Sequence, residues 1–232
     1  MSIAQFIDHT ILKPTATLGD IEKVCDEASV YGFAAVCIPP YYVRDAAQIL
    51  AGSISRVATV IGFPFGYSHY EAKAAEASTA IEDGAKELDM VMNIAAFKSN
   101  DLAWLESEIE LITGLVKDKD IVIKVIIESG VLHQEEINKC CALYQHYPVD
   151  FLKTSTGYAE SGASVEAVRI MRQHLPAHIG IKASGGIRNF AFAQQLIDAG
   201  ATRLGCSASV AIVKGEGSNE EEMGAKSGSG RY

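Results

Sequence analysis

No stretch of the 232-residue chain approaches the length of a membrane span, and the N-terminal MSIAQFIDHT lacks the basic region and long apolar segment of an export signal. Neither bilayer crossing nor secretion is expected. Cysteine is scarce: Cys25, Cys37, Cys140, Cys141 and Cys206 are odd in number and show no CxxC spacing. That argues against a disulfide framework or a zinc site and for a reducing compartment, the cytoplasm. Positive charge is also short. The chain carries 20 basic against 29 acidic residues, a net charge of −9, which disfavours a nucleic-acid face or an anionic membrane surface. The six histidines, at positions 9, 69, 133, 146, 174 and 178, make no HxH or HExxH arrangement, so neither a metal nor another cofactor is expected. Small molecules are left as the partners.

What the chain does have is apolar content, 48%, arranged as strand-like runs alternating with amphipathic stretches. The strand-like runs are Ile7 to Thr10, Phe33 to Ile38, Val57 to Ile61, Glu87 to Val91, Ile121 to Ile126, Phe151 to Thr154, Ile179 to Ala183 and Ala201 to Cys206. Helical periodicity covers Leu18 to Tyr31, Tyr41 to Ala51, His69 to Asp83, Leu102 to Val116, His133 to Tyr147, Ser164 to His174 and Phe190 to Ala199. Strands apolar on both faces and joined through helices belong in a parallel sheet covered on both sides. An open doubly wound sheet would more often carry GxGxxG after its first strand; the turn here is CIPPYY. About eight units in this length predict an α/β fold of the TIM (β/α)₈ barrel type, one domain over residues 1–214. Residues 215–232, GEGSNEEEMGAKSGSGRY, have too little apolar content to fold alone and are expected to be a flexible tail ending in Tyr232.

In such a barrel the C-terminal ends of the strands form the active face. That face receives Asp8, Cys37, Phe63, Asp89 or Asn93, Lys124 or Glu128, Lys153, Lys182 and Ser207. Several lysines and carboxylates in an otherwise apolar setting suit imine chemistry. A neutral lysine amine adds to a carbonyl, and a second ammonium nearby lowers the first one's pKa. Position does not choose between Lys153 and Lys182, and the plainer reading makes both ion-paired supports for barrel carboxylates. Lys124 suits charge balancing. Asp89 suits proton relay through a water if its surroundings tune it toward operating pH, or else it is a buried acid paired to Lys182. Asp8 pairs from the first strand, and Cys37 reads as a small buried hydrophobe. Gly185-Gly186 and Gly205 to Ser207 follow the last two strands, where barrels often hold a phosphate on backbone N–H groups. The expected substrate is a small phosphorylated aldehyde or sugar.

Seven segments in order, IDHTILKP (7–14), TVIGFPFG (59–66), ELDMVMNI (87–94), KVIIESG (124–130), FLKTSTGY (151–158), GIKASGGIR (180–188) and RLGCSAS (203–209), resemble the deoxyribose-phosphate aldolases over nearly the whole chain. The resemblance implies reversible cleavage of 2-deoxy-D-ribose 5-phosphate to acetaldehyde and D-glyceraldehyde 3-phosphate, with Lys153 as the imine-forming residue, Lys182 depressing its pKa and Asp89 relaying the proton. It further implies a supporting network of Asp8 and Lys124, a phosphate site around Thr156, Gly157, Gly185, Gly186 and Ser207, and a proton-transfer role for Tyr232. Two positions depart from the family pattern: Cys37-Ile38-Pro39-Pro40 stands where many members have asparagine, and Ser207-Ala208 replaces a serine pair. Weaker phosphate discrimination is the expected result. A homodimer is compatible with this class of barrel. The alternatives are another imine-forming or transaldolase-like enzyme and a non-catalytic sugar-phosphate binder in which Lys153 stays protonated.

Overall fold

The computed structural model describes residues 2–216. Eight strands run parallel and in sequence order around a closed barrel: β1 Ile7–Thr10, β2 Ala35–Ile38, β3 Arg56–Ile61, β4 Glu87–Val91, β5 Val122–Ile126, β6 Phe151–Lys153, β7 Gly180–Ser184 and β8 Arg203–Cys206. β8 returns to β1 with Asp8 opposite Gly205. The expected strands are all present, within two residues at their ends.

The helices are α1 Leu18–Tyr31, α2 Val43–Ile49, α3 Tyr70–Glu82, α4 Ile94–Lys98, α5 Leu102–Val116, α6 Gln134–Tyr144, α7 Val165–His174 and α8 Phe190–Asp198, followed by helical residues 209–216. Their starts are written in the sequence. Thr17 and Asp20 form a reciprocal capping box on α1, and the side chains of Asp101, Ser164 and Asn189 cap α5, α7 and α8. Two helices were not expected. α4 spans five residues, too few for a periodic signal, and forms because the Asn93 side chain caps the Ala96 N–H at the end of β4. Residues 209–216 run across the expected start of the tail at Gly215, and Glu216 accepts hydrogen bonds from Ser2 Oγ and Ile3 N. Tyr232 lies outside the described residues.

Strand side chains alternate between two environments. One set, including Val36, Leu88, Ile123, Leu152 and Ile181, packs outward against the helices and forms the main hydrophobic core. The other set points into the barrel. There Ala35, Cys37, Ala58 and Val60 make a small apolar cluster, on the β2 and β3 side. Charged side chains fill much of the rest, on the β4 to β8 side and from β1.

Two polar devices outside the barrel fix strand ends. Lys73 of α3 and Glu108 of α5 form a fully buried pair at 2.5 Å; Lys73 also donates to the Val91 carbonyl, and Glu108 accepts from the Asn93 N–H. On the opposite side His9 bridges β1 to its neighbours, Nδ1 lying 2.9 Å from Ser209 Oγ and Nε2 2.7 Å from Glu27 Oε2. His9 thereby ties the first strand to α1 and to the helix that follows Ser207.

Candidate active site

Because successive residues of a strand face opposite ways, the inward positions of six strands collect seven ionisable side chains: Asp8 (β1), Glu87 and Asp89 (β4), Lys124 (β5), Lys153 (β6), Lys182 (β7) and Arg203 (β8). They form one connected ladder. At the floor Arg203 Nη1 reaches Asp8 Oδ1 at 2.7 Å and Glu87 Oε2 at 3.1 Å. Above it, Lys124 Nζ lies 2.7 Å from both Glu87 Oε2 and Asp89 Oδ1, and 3.6 Å from Asp8 Oδ2. Lys182 Nζ bridges Asp8 Oδ2 and Asp89 Oδ2, the latter at 2.6 Å. Lys153 Nζ, at the top, meets a single carboxylate, Asp89 Oδ2, at 2.7 Å.

These positions give each group a different protonation preference. Burial would push the carboxyls of Asp8 and Asp89 up, but the ammonium groups around them win and hold both well below the usual carboxylate range. Lys182 and Lys124 are likewise penalised by burial, yet their two or three carboxylates raise them above an ordinary lysine. Lys153 goes the other way. Burial lowers its pKa, Asp89 only partly offsets this, and the neighbouring Lys182 ammonium lowers it further. Cys37, whose Sγ lies 3.9 Å from Asp89 Oδ2, is a fully buried thiol pushed up by desolvation. This is the behaviour of a buried hydrophobe.

Lys153 is also the lysine that opens onto space. A cavity of about 200 Å³ at the C-terminal end of the barrel is lined by Lys153, Thr156, Gly157, Gly185, Gly186 and Ser207, while Asp8, Asp89, Lys124 and Lys182 lie beneath it, closed from solvent. Every residue expected around a phosphate is therefore at one opening with one amine. The geometry explains the glycines. Gly185 has φ +91 and stands in backbone contact with Gly162, and a Cβ on inward-facing Gly205 would fall 2.3 Å from Ser184 Oγ and 3.2 Å from Lys182 Cε. Thr156 is held by Glu128, which accepts from its N–H at 3.2 Å and from its hydroxyl.

The sequence reading missed four members of this site. Glu87 opens its strand and Arg203 falls inside the expected run Ala201 to Cys206, and neither charge stands out there, although a period of two places Glu87 on the face of Asp89. Arg188 and Ser184 line the cavity, and the Ser184 hydroxyl is buried with no partner. Of the two readings of Asp89, the buried acid paired to Lys182 is present, while the condition of tuning toward operating pH is not met, because three ammonium groups surround it.

Known proteins place the same architecture in one group. A family model, DeoC/LacD family aldolase, matches residues 2–228. The chain is 49% identical over 216 residues to a deoxyribose-phosphate aldolase from Streptococcus gordonii, covering 93% of this chain and 97% of that one. It is 48% identical over 217 residues to a deoxyribose-phosphate aldolase from Thermococcus gammatolerans, covering 93% and 96%. Among solved structures, the tetrameric deoxyribose phosphate aldolase from Aeropyrum pernix superposes with a TM-score of 0.87 at 32% identity, covering 94% of this chain and 92% of that one. With a closed parallel barrel, a ladder of lysines and carboxylates inside it and these relatives along its length, the chain belongs to the DeoC/LacD aldolase family.

Proposed function

We propose that this protein is a class I deoxyribose-phosphate aldolase, with Lys153 as its Schiff-base residue. One observation carries the assignment: of the three lysines inside the barrel, Lys153 alone opens onto the cavity, and it has the weakest carboxylate support. Its neutral amine attacks C1 of the open-chain 2-deoxyribose 5-phosphate and loses water to give an iminium ion. Loss of the C3 hydroxyl proton then breaks the C2–C3 bond, releases D-glyceraldehyde 3-phosphate and leaves an enamine on Lys153. Protonation at C2 and addition of water release acetaldehyde and restore the amine.

Asp89 bridges the Lys153 and Lys182 amines, so protons shed at one have a path to the other or to a water between them. Because Asp89 stays ionised, its part in the relay is to hold the two lysines and the atoms between them in line rather than to store the proton itself. Lys182, kept cationic by Asp8 and Asp89, keeps the Lys153 amine free of its proton. The backbone at Gly157, Gly185 and Gly186, with Thr156, Ser207 and the nearby Arg188, supplies donors for the 5-phosphate at the far side of the opening. Five cysteines, all free and buried, fit a reducing cytoplasm, and among the described residues no helix is long and apolar enough to cross a membrane.

The test is borohydride reduction in the presence of acetaldehyde, followed by peptide mass analysis. A two-carbon adduct on Lys153, absent from Lys153→Met, is expected. An adduct on Lys182 or Lys124 would reverse the assignment, and none on the folded protein would favour a binding role.

A further inference from the structure

The ladder inside the barrel is unbalanced. It holds three carboxylates, Asp8, Glu87 and Asp89, against four basic groups, Lys124, Lys153, Lys182 and Arg203. Bringing one uncompensated charge into such an interior is costly, and the least expensive way to avoid it is for one base to give up its proton. Arg203 cannot do so. Lys124 and Lys182 each touch two or more carboxylates, and Lys153 touches one. The surplus therefore falls on Lys153.

We infer that Arg203, on the floor of the barrel and out of reach of the cavity, is the positioning residue that creates this surplus, and that it acts on the nucleophile through the chain Arg203–Asp8–Lys182–Asp89–Lys153. Its guanidinium occupies Asp8 Oδ1 and Glu87 Oε2, so Asp8 and Glu87 are shared downward. Asp89 is then left to serve three lysines at once. Without the guanidinium, Asp8 and Glu87 would be enough for Lys182 and Lys124, and Asp89 would be free to pair with a protonated Lys153. This inference rests on Lys153 being the Schiff-base residue.

The neighbours of both ends are accounted for. Lys153 is faced by Asp89 from β4, Lys182 from β7 and the Cys37 thiol from β2, while the β3 side offers Ala58 and Val60. Glu128, beyond β5, accepts two hydrogen bonds from Thr156 and acts on Lys153 through its charge at longer range, with no ion pair among the described residues joining it to the ladder. Arg203 is faced by Asp8 from β1, Glu87 from β4, the Phe151 ring of β6 at 5.3 Å and, in register on β7, Lys182.

The experiment measures the pH midpoint of acetaldehyde trapping on Lys153, together with the acid limb of kcat/KM, in the wild type and in Arg203→Met, Arg203→Lys and Glu87→Gln. Removing the cation makes the Lys153 ammonium easier to keep, so Arg203→Met moves both midpoints up by about one pH unit. Removing an anion does the reverse, and Glu87→Gln moves them down by a similar amount. Arg203→Lys restores the charge and leaves the midpoint within about 0.3 units of wild type. A purely structural role would lower activity in both charge-changing variants without moving their midpoints in opposite directions. Unshifted midpoints, or shifts of the same sign, in folded variants overturn the inference. Should Arg203→Met not fold, the downward shift in Glu87→Gln decides alone. Failure of the wild type to trap acetaldehyde on Lys153 would instead refute the Schiff-base assignment on which the inference stands.

Discussion

Replacing Asp89 by asparagine keeps the shape of the ladder's central rung and removes its charge. Lys124 would retain Glu87 at 2.7 Å and Asp8 at 3.6 Å, and Lys182 would retain Asp8, but Lys153 would be left with no carboxylate. Breaking a buried ion pair from one side costs ~3–5 kcal/mol. Because Lys153 escapes the penalty by staying neutral, the lower end, about 3 kcal/mol, applies. At roughly 2–4 °C per kcal/mol for a chain of this size, Tm falls by about 10 °C. Turnover of deoxyribose 5-phosphate, followed by coupled reduction of the released aldehydes, should fall by ~10²–10⁴ as the proton relay is lost. Acetaldehyde trapping should survive, with its pH midpoint moved lower, because the carboxylate paired to the Lys153 ammonium has gone. Two results would refute this reasoning: turnover within about tenfold of wild type, or a folded Asn variant that cannot form the adduct.

Other consequences are equally direct. Lys153→Met should abolish turnover yet leave the denaturant midpoint unchanged or higher, since it deletes the surplus base, whereas Lys182→Met takes a paired ammonium from both Asp8 and Asp89 and costs ~3–5 kcal/mol by urea unfolding; equal losses in the two variants would contradict the charge count. Gly205→Ala drives a methyl into Ser184 Oγ and the Lys182 stem and should destabilise by about 1–3 kcal/mol, with a raised KM for the phosphorylated substrate; wild-type stability and KM would show that the cavity wall yields freely. The folded-state pKa values of Asp8 and Asp89 lie well below the ordinary 3.8, so their stabilisation is complete above that value and is lost progressively as pH falls from there toward the folded-state values. Urea midpoints measured from pH 6 to pH 3 should therefore drop steeply below about pH 4, and a flat profile would contradict the buried ion pairs.

The architecture was legible because its cause is local. Eight apolar runs separated by capped helices leave few alternatives, and Lys153, Lys182 and Asp89 stand out as charges inside such runs. Glu87 does not stand out because a charge at the first residue of a strand looks like a boundary until its neighbours' facing is known, and Arg203 does not because the run Ala201 to Cys206 holds no second charge to show which face it shares. The ordering of the three lysines was hidden for a different reason. Their protonation depends on which carboxylates converge from β1 and β4, and such convergence between residues as far apart as Asp8 and Arg203 is a property of the closed ring. α4 escaped notice because five residues carry no period, and its cap, Asn93, is legible only once the end of β4 is fixed.

The unusual inside of this barrel also bears on how the chain reaches its folded state. Asp8 meets Arg203 across the seam between β1 and β8, a separation of 195 residues. Until β8 arrives, Asp8 and Glu87 lack the guanidinium they share and have only lysines from β5 and β7 for partners, and a half-built barrel must keep water among its charges to survive. Drying the interior and sealing the seam are therefore one event, which the last strand commits. A chain growing from a ribosome would hold its earlier strands in a hydrated, reversible sheet until that strand emerged, and the high contact order of the β1–β8 seam would set the pace of the final step.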